Sequence, residues 1–342
     1  MGRYSKISLL GFGHLLVDFC SIYLIYSMTS NSVILIAMYF IIYNGIAFAS
    51  QPVFGFIADK YNLYRLYIIL GLLLALIAVM MPVNHIIFIV FATIGNALYH
   101  VGGGVVSIRL FPGKAAPAGI FVAPGAIGVF LGVFVASEGN ISKLFIIVPT
   151  IIMLVILYIV FGVKKESQIK HQVPSELGLL TFLILVVVLI RGMIGFAISF
   201  PWKDGNLLSF ALVLGVFLGK FFGGILGDRF GYRTIGIGGL LLSVPFLLFG
   251  SIPMVGIIGA VLFNFTMAIT LFLIISMFGK YQGFAFGLTT LALFVSYLTS
   301  ALGLYTNSLI ISNILLVILP IIAAILLNIV ITKFYKYREE VR

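Results

Sequence analysis

Twelve apolar stretches of 17 to 25 residues, parted by short polar breaks, decide what this 342-residue chain can fold into. They run 6–27, 33–57, 66–82, 86–109, 116–136, 143–163, 178–200, 206–227, 234–252, 255–278, 282–303 and 309–332. A helix of about 20 residues crosses a hydrocarbon core about 30 Å thick. Lipid offers no partner to a bare backbone amide, so such stretches must close their hydrogen bonds internally. Barrel strands would alternate apolar and polar residues over ~10-residue segments, unlike these continuous runs. The first stretch is too long for a signal peptide, carries His14 and Asp18, and lacks a small-residue cleavage site. The expected fold is an all-α membrane protein with twelve transmembrane helices.

Composition narrows the function classes. Hydrophobic side chains make up 62% of the chain and charged ones 8%, against roughly 25% charged in soluble domains. With a mean hydropathy of +1.27, this excludes a cytosolic enzyme, a nucleic-acid binder and a secreted disulfide scaffold. The formal charge of +11 sits in short blocks between the stretches, so it sets topology rather than binding nucleic acid. With both termini inside, 16 of the 20 Lys and Arg fall on cytoplasmic segments. Only Lys143 and Lys203 fall outside, and Arg191 and Lys220 lie within spans. That asymmetry predicts a multi-pass protein of the cell membrane with both termini cytoplasmic. Cys20 is the only cysteine, so an intramolecular disulfide and a cysteine metal cluster are both ruled out.

The longest break, residues 164–177, is polar and contains Pro174. It reads as a cytoplasmic linker between an N-terminal six-helix bundle, 1–163, and a C-terminal one, 178–342. A repeat supports the division. The loop after the second span reads GFIADKYNLYR, Gly55 to Arg65, and the loop after the eighth reads GILGDRFGYR, Gly224 to Arg233. Asp59 and Asp228 are 169 residues apart, about half the chain. Duplicated halves with a site at their interface are the architecture of many secondary transporters.

These strings resemble the signature between helices 2 and 3 of the major facilitator superfamily, G-x-x-x-D-R/K-x-G-x-R/K-R. The second copy follows it closely, whereas the first has Asn62 at the inner glycine and Tyr64 at one basic position. With the span count, the resemblance covers the whole chain and implies two pseudo-symmetric six-helix bundles. It also implies a conformational latch made of Gly55, Asp59, Lys60 and Arg65 in one copy and Gly224, Asp228, Arg229 and Arg233 in the other. Each Asp would pair with basic side chains and a helix N-terminus to hold the cytoplasmic side closed. A carboxylate at a helix N-terminus contributes about 0.3–1 kcal/mol, and more when partly buried. The alternative is a pair of polar turns that only set topology.

A narrower resemblance begins at GFGHLLVDF in span 1 and continues through GNALYHVGGG in span 4. It is similar to the fosmidomycin-resistance branch of the superfamily, drug–proton antiporters with a His and an Asp at this spacing in helix 1 and a His in helix 4. Val101 stands where that branch often has Pro. In span 5, GIFVAPGAIG is similar to the G-x-x-x-G-P-x-x-G-G pattern of antiporters, with Ala123 and Ile127 departing from it. This likeness implies proton-driven efflux of a drug-like compound.

Polar groups inside the spans carry the functional expectation, because an ionisable group at the bilayer centre costs ~2.5–3.5 kcal/mol. His14 and Asp18 are four apart, hence on one face of span 1 and able to touch. Asp18 lies about 18 Å and Arg191 about 20 Å from the cytoplasmic ends of their spans, at 1.5 Å per residue. In the superfamily helices 1, 4, 7 and 10 line the central cavity, so the two are expected to face each other across it. Loss of the cation to a substrate anion would raise the acid's pKa and couple binding to protonation. A permanent ion pair locking the two helices is the competing reading. His14 and His100 sit at a similar depth, about 12–14 Å in. They are expected either to relay protons to Asp18 or to serve as neutral hydrogen-bonding groups. Asn96 shares the face of His100 one turn away and is expected to bind it or a substrate. Asn264, Thr266 and Thr270 on span 10 line the cavity or act as interhelical packing glue. Lys220 either snorkels to the surface or supports an anion.

The leading expectation is a secondary active transporter working by alternating access: proton-coupled efflux of a small, anionic or zwitterionic organic compound or drug. Proton coupling falls to Asp18, His14 and His100, and substrate binding to Arg191, Asn96, Asn264 and Thr270. The alternative within the class is a proton-coupled uptake symporter for a sugar or organic acid. A transport-dead sensor or interaction protein is the alternative outside it. An intramembrane enzyme would need a pattern such as H-E-x-x-H, and the four histidines have no such partners. No ATP-binding P-loop is present, so an ion gradient supplies the energy, sodium being the other candidate. No cofactor and no metal are expected. The expected partners are a small-molecule substrate, protons and the lipid bilayer, with no nucleic acid, and the expected state is a monomer.

Overall fold

A computed structural model describes every residue except 30–31, 82–85, 140, 164–175, 204–205, 304–308 and 342. The expected linker falls almost wholly outside the described residues, as do His85 and His171. The described residues form helices and no strand: α1 (Arg3–Thr29), α2 (Val33–Ala47), α3 (Gln51–Tyr61), α4 (Tyr64–Met80), α5 (Ile86–Leu110), α6 (Ala116–Glu138), α7 (Leu144–Phe161), α8 (Leu177–Ala197), α9 (Asn206–Phe230), α10 (Gly238–Leu248, continuing a π-helical turn at Arg233–Ile237), α11 (Pro253–Met277), α12 (Gln282–Ala301) and α13 (Leu309–Val341). Among the described residues, ten helical segments, with α2 and α3 taken together, are long and apolar enough to cross a membrane. Two more, Tyr64–Met80 and Arg233–Leu248, are apolar but shorter, and they occupy the third and ninth expected stretches. The chain is a multi-pass membrane protein.

One expected span is interrupted. Residues 33–57 are not a single helix, because the backbone turns over 48–50 between α2 and α3. Pro52 in the first turn of α3 has no N–H and cannot continue the preceding ladder. Side chains take up carbonyls freed there: the Ser50 hydroxyl donates to the Ile46 carbonyl, and Gln51 Nε2 donates to Ala47 O at 2.7 Å. Such local repair makes a broken helix tolerable in lipid.

The helices gather into two compact units. One comprises Met1–Pro112, Pro124–Gln168 and Tyr281–Leu291; the other comprises Gly113–Ala123, Ile169–Lys280 and Ala292–Arg342. In the first, α4 packs on α5 and α7, and α1 packs on α5, α4 and α7. In the second, α10 packs on α11 and α13, and α8 packs on α13 and α11. Likewise α2 and α3 pack on α5, as α9 packs on α11. Several of these pairings recur in the two units. Large apolar side chains such as Phe145, Ile159, Leu207 and Met254 remain exposed. On a membrane protein that surface belongs to lipid, whereas a soluble protein would have to hide it.

Candidate functional site

Within the first unit, α1 and α5 bring four polar side chains to one place. Asp18, His14, His100 and Asn96 are at most 7% exposed. His14 Nε2 lies 3.1 Å from Asp18 Oδ2, the one-turn contact expected from their spacing. Asn96 Nδ2 donates to Asp18 Oδ1 at 2.7 Å. His100 Nε2 stands 3.8 Å from that same oxygen. The two imidazoles meet edge to face, with ring centroids 4.2 Å apart. The expected juxtaposition of the two histidines at one depth, next to the acid, is therefore present in this geometry. Tyr43 of α2 borders the group, its phenol against the Asn96 amide and within the field of Asp18. Phe48 packs its ring 6.4 Å from that of His100. Nothing in the sequence distinguished these two rings from the other 46 Phe and Tyr side chains.

The carboxylate thus meets the cost of its burial inside its own unit, through two imidazoles and an amide. Arg191, the expected partner of Asp18, belongs to the second unit. It is buried on α8, its guanidinium lies 5.7 Å from the centroid of the Phe263 ring, and its Nε has no hydrogen-bond partner among the described residues. A ring face offsets part of a cation's desolvation, about 0.5–2 kcal/mol. Along α11, Asn264 Nδ2 donates to the Ala260 carbonyl at 2.9 Å, Thr266 Oγ1 to Phe263 O at 3.0 Å and Thr270 Oγ1 to Thr266 O at 3.0 Å. These are bonds back to their own helix, as side chains make when no stronger partner claims them.

The two Asp-containing loops form a repeated motif. Asp59 accepts from the backbone N–H of Gly283 at 2.9 Å and of Phe284 at 2.8 Å, at the start of α12. Asp228 accepts from Ala115 N at 2.8 Å and Ala116 N at 2.9 Å, at the start of α6. Each carboxylate therefore satisfies two of the orphan amides at a helix N-terminus and complements the helix dipole. The glycine four residues earlier allows this approach. A Cβ on Gly55 would lie 2.1 Å from the Gly283 carbonyl oxygen, and one on Gly224 would lie 2.5 Å from that of Ala115.

The third member of each motif is a tyrosine. Tyr64 donates its hydroxyl to Asp59, and Tyr232 donates to Asp228 at 2.9 Å. Burial first, and then the adjoining carboxylate, pushes the Tyr232 phenol well above its ordinary range, so it stays a donor. The Arg109 guanidinium sits 4.4 Å over the Tyr64 ring and donates to Gln282 Oε1 at 2.7 Å. The motif bases have other contacts. Arg65 donates to the Phe161 carbonyl at 3.0 Å, and Arg233 to the Thr332 hydroxyl at 2.7 Å. The first loop is thereby tied to α7 and the second to α13. Lys60 lies 5.2 Å from the Tyr61 ring and Arg229 5.2 Å from the Phe230 ring. Asn62 departs from the signature in name but not in conformation. Its φ of 57° and the 93° of Gly231 place both residues, three after their Asp, in the left-handed region. Asn is among the few side chains that tolerate it.

No family model matches the chain, and no characterised protein matches it in sequence. Solved structures do match its fold. A single-substitution variant of the E. coli fucose:proton symporter FucP superposes with a TM-score of 0.64 at 13% identity, covering 96% of this chain and 98% of that one. A second structure, of the major facilitator superfamily transporter FucP in the outward conformation, gives 0.63 at 12% identity, covering 92% and 98%. The fold is that of these transporters. The comparisons lend no support to a place in the fosmidomycin-resistance branch.

Proposed function

We propose that the chain is a secondary active transporter of the major facilitator superfamily, in which two six-helix bundles, 1–163 and 178–342, alternate access to a proton-coupled site. Twelve spans with both termini in the cytoplasm follow from the charge asymmetry, and a monomer suffices for this mechanism. The observation that carries the reading is the buried His14–Asp18–His100–Asn96 cluster. A carboxylate held 3.1 and 3.8 Å from two imidazoles inside a membrane helix is a proton-exchange group with its relay already assembled. Arg191, buried with an unpartnered Nε, is the anion-binding counterpart and makes a small organic anion or zwitterion the substrate class. Asn96, Asn264 and Thr270 complete the polar lining. Asp59 and Asp228 are the latches, each gripping a helix N-terminus that must be released for the bundles to swing.

Efflux driven by inward proton flow is the first reading, on the helix 1 and helix 4 strings. Uptake by proton symport is the second, and the fold shared with a fucose:proton symporter favours it. Reconstituted protein under an imposed pH gradient decides between them by the direction of solute movement across phosphonates, organic acids and sugars. In the same vesicles Asp18→Asn is expected to abolish proton-driven transport and to leave counterflow exchange partly intact. Wild-type proton-driven rates in that variant would end the assignment.

A further inference from the structure

The ionisable groups of α1 and α5 also make a ligand set for a metal ion. His14, Asp18 and His100 each offer one ligand atom, these atoms lie within 4.8 Å of one another, and all three residues are buried. The 3.1 Å between His14 Nε2 and Asp18 Oδ2 is close to the edge of a tetrahedral Zn²⁺ site, about 3.3 Å for bonds of about 2.0–2.1 Å. The third atom lies within 4.8 Å of the other two, so at most about 1.5 Å of movement at the tip of a side chain reaches the same bond lengths.

Three further observations point to a cation. His100 Nδ1 lies 2.8 Å from the Asn96 carbonyl oxygen. A carbonyl only accepts, so Nδ1 carries the hydrogen and Nε2 is the nitrogen turned toward the carboxylate. An imidazole fixed by an Nδ1–H bond to a backbone carbonyl is oriented as metal-binding histidines are. Next, the edge between acid and imidazole is kept clear of carbon: a Cβ on Gly125 of α6 would lie 2.6 Å from both Asp18 Oδ2 and His14 Nε2. Finally, Asn96 Oδ1 is fully buried beside the set and has no hydrogen-bond partner among the described residues, where nearly all such atoms are satisfied.

We propose that His14, Asp18 and His100 form a three-ligand site for a divalent transition-metal ion of the Zn²⁺ class, with the fourth position open. Two imidazoles and one carboxylate suit Zn²⁺, Cu²⁺ or Ni²⁺, whereas Mg²⁺ and Ca²⁺ require oxygen ligands. An ion here occupies the atoms assigned to proton coupling and so inhibits transport. That consequence rests on the proposed function; the binding itself does not.

The test uses the full chain, purified without a histidine tag in nanodiscs and titrated with Zn²⁺ alone. One ion per chain is expected, with Mg²⁺ ineffective. Loss of a ligand in His14→Ala or His100→Ala should weaken binding roughly 100-fold or more, and loss of the supporting amide in Asn96→Ala about tenfold. His100→Cys guards against a merely misfolded variant: it keeps a ligand, and with Co²⁺ it should add a thiolate-to-metal charge-transfer band absent from the wild type. Wild-type protein that fails to bind Zn²⁺ at submillimolar concentration, or alanine variants that bind as tightly as wild type, would overturn the site. Neither result touches proton coupling, which the Asp18→Asn transport assay judges separately.

Discussion

Replacing Asp59 by Asn tests the latch where its geometry is most explicit. The carboxylate accepts two backbone N–H groups, at 2.9 and 2.8 Å, and the Tyr64 hydroxyl. An amide keeps one acceptor and turns a donor toward one of the two N–H groups. A hydrogen bond to a charged group contributes about 1.5–3 kcal/mol, and a partly buried charge at a helix N-terminus adds up to ~2 kcal/mol. Losing one bond and the charge therefore costs about 3 kcal/mol, and at 1.4 kcal/mol per decade that is roughly a 100-fold loss of the latched state. Hydrogen exchange read by mass spectrometry on a peptide covering 281–287 reports this directly, because those amides are the ones released. Asp59→Asn should speed exchange there about 100-fold and leave 113–119 unchanged, while Asp228→Asn should do the reverse. Unchanged exchange at 281–287 together with unchanged transport would refute the latch and leave a polar turn.

Gly55→Ala should lower thermal stability by about 1–3 kcal/mol, the usual overpacking cost. Its Cβ would overlap the Gly283 backbone, which has no rotamer to yield. A melting curve checks this, and Gly224→Ala should behave alike. Asn62→Gly should be near neutral, and Asn62→Val should cost at least the roughly 1–2 kcal/mol of a left-handed residue; equal melting temperatures would contradict this account of the loop. Arg191→Lys, which keeps the charge but loses the planar fork, should weaken solute binding in equilibrium assays while leaving folding intact. Unchanged affinity would assign Arg191 to structure alone.

How far the sequence spoke depended on the distance over which each constraint acts. Lipid imposes helix length residue by residue, so the apolar runs could be read directly. The break at 48–50 was concealed because Phe48 and Ala49 continue the apolar run, and only Ser50 and Pro52 hint at it. Contact between His14 and Asp18 followed from helical periodicity. That α5 brings Asn96 and His100 to Asp18 could not follow, since hydropathy does not say which helices meet. The contact of each motif Asp with a helix N-terminus was legible in its Asp and Gly. The motif tyrosines were obscured because Leu63 shifts the first copy by one residue, placing Tyr64 five after its Asp and Tyr232 four after.

That one-residue shift makes it possible to align the two halves atom for atom. Gly55 and Asp59 lie 169 residues before Gly224 and Asp228; past Leu63 the offset is 168 for Tyr64 and Tyr232, Arg65 and Arg233, and for the amides of Ala115 with Gly283 and Ala116 with Phe284. The same offsets carry His14 to Leu183, Asp18 to Val187 and His100 to Ala268, while Asn96 falls on Asn264. The glycine, the Asp and the two amides that it accepts from therefore recur in both halves, whereas the acid and its two imidazoles have apolar counterparts. Conversely, Arg191 falls on Ile22. Burying an ion costs several kcal/mol unless it is partnered, so a duplicated scaffold gains nothing from keeping both sets in both halves. The titratable cluster therefore belongs to one half of the sequence and the Arg191 guanidinium to the other. It follows that Val187→Asn should leave proton coupling unaffected where Asp18→Asn destroys it; equal losses in the two variants would show that the effect at Asp18 came from packing rather than from its charge.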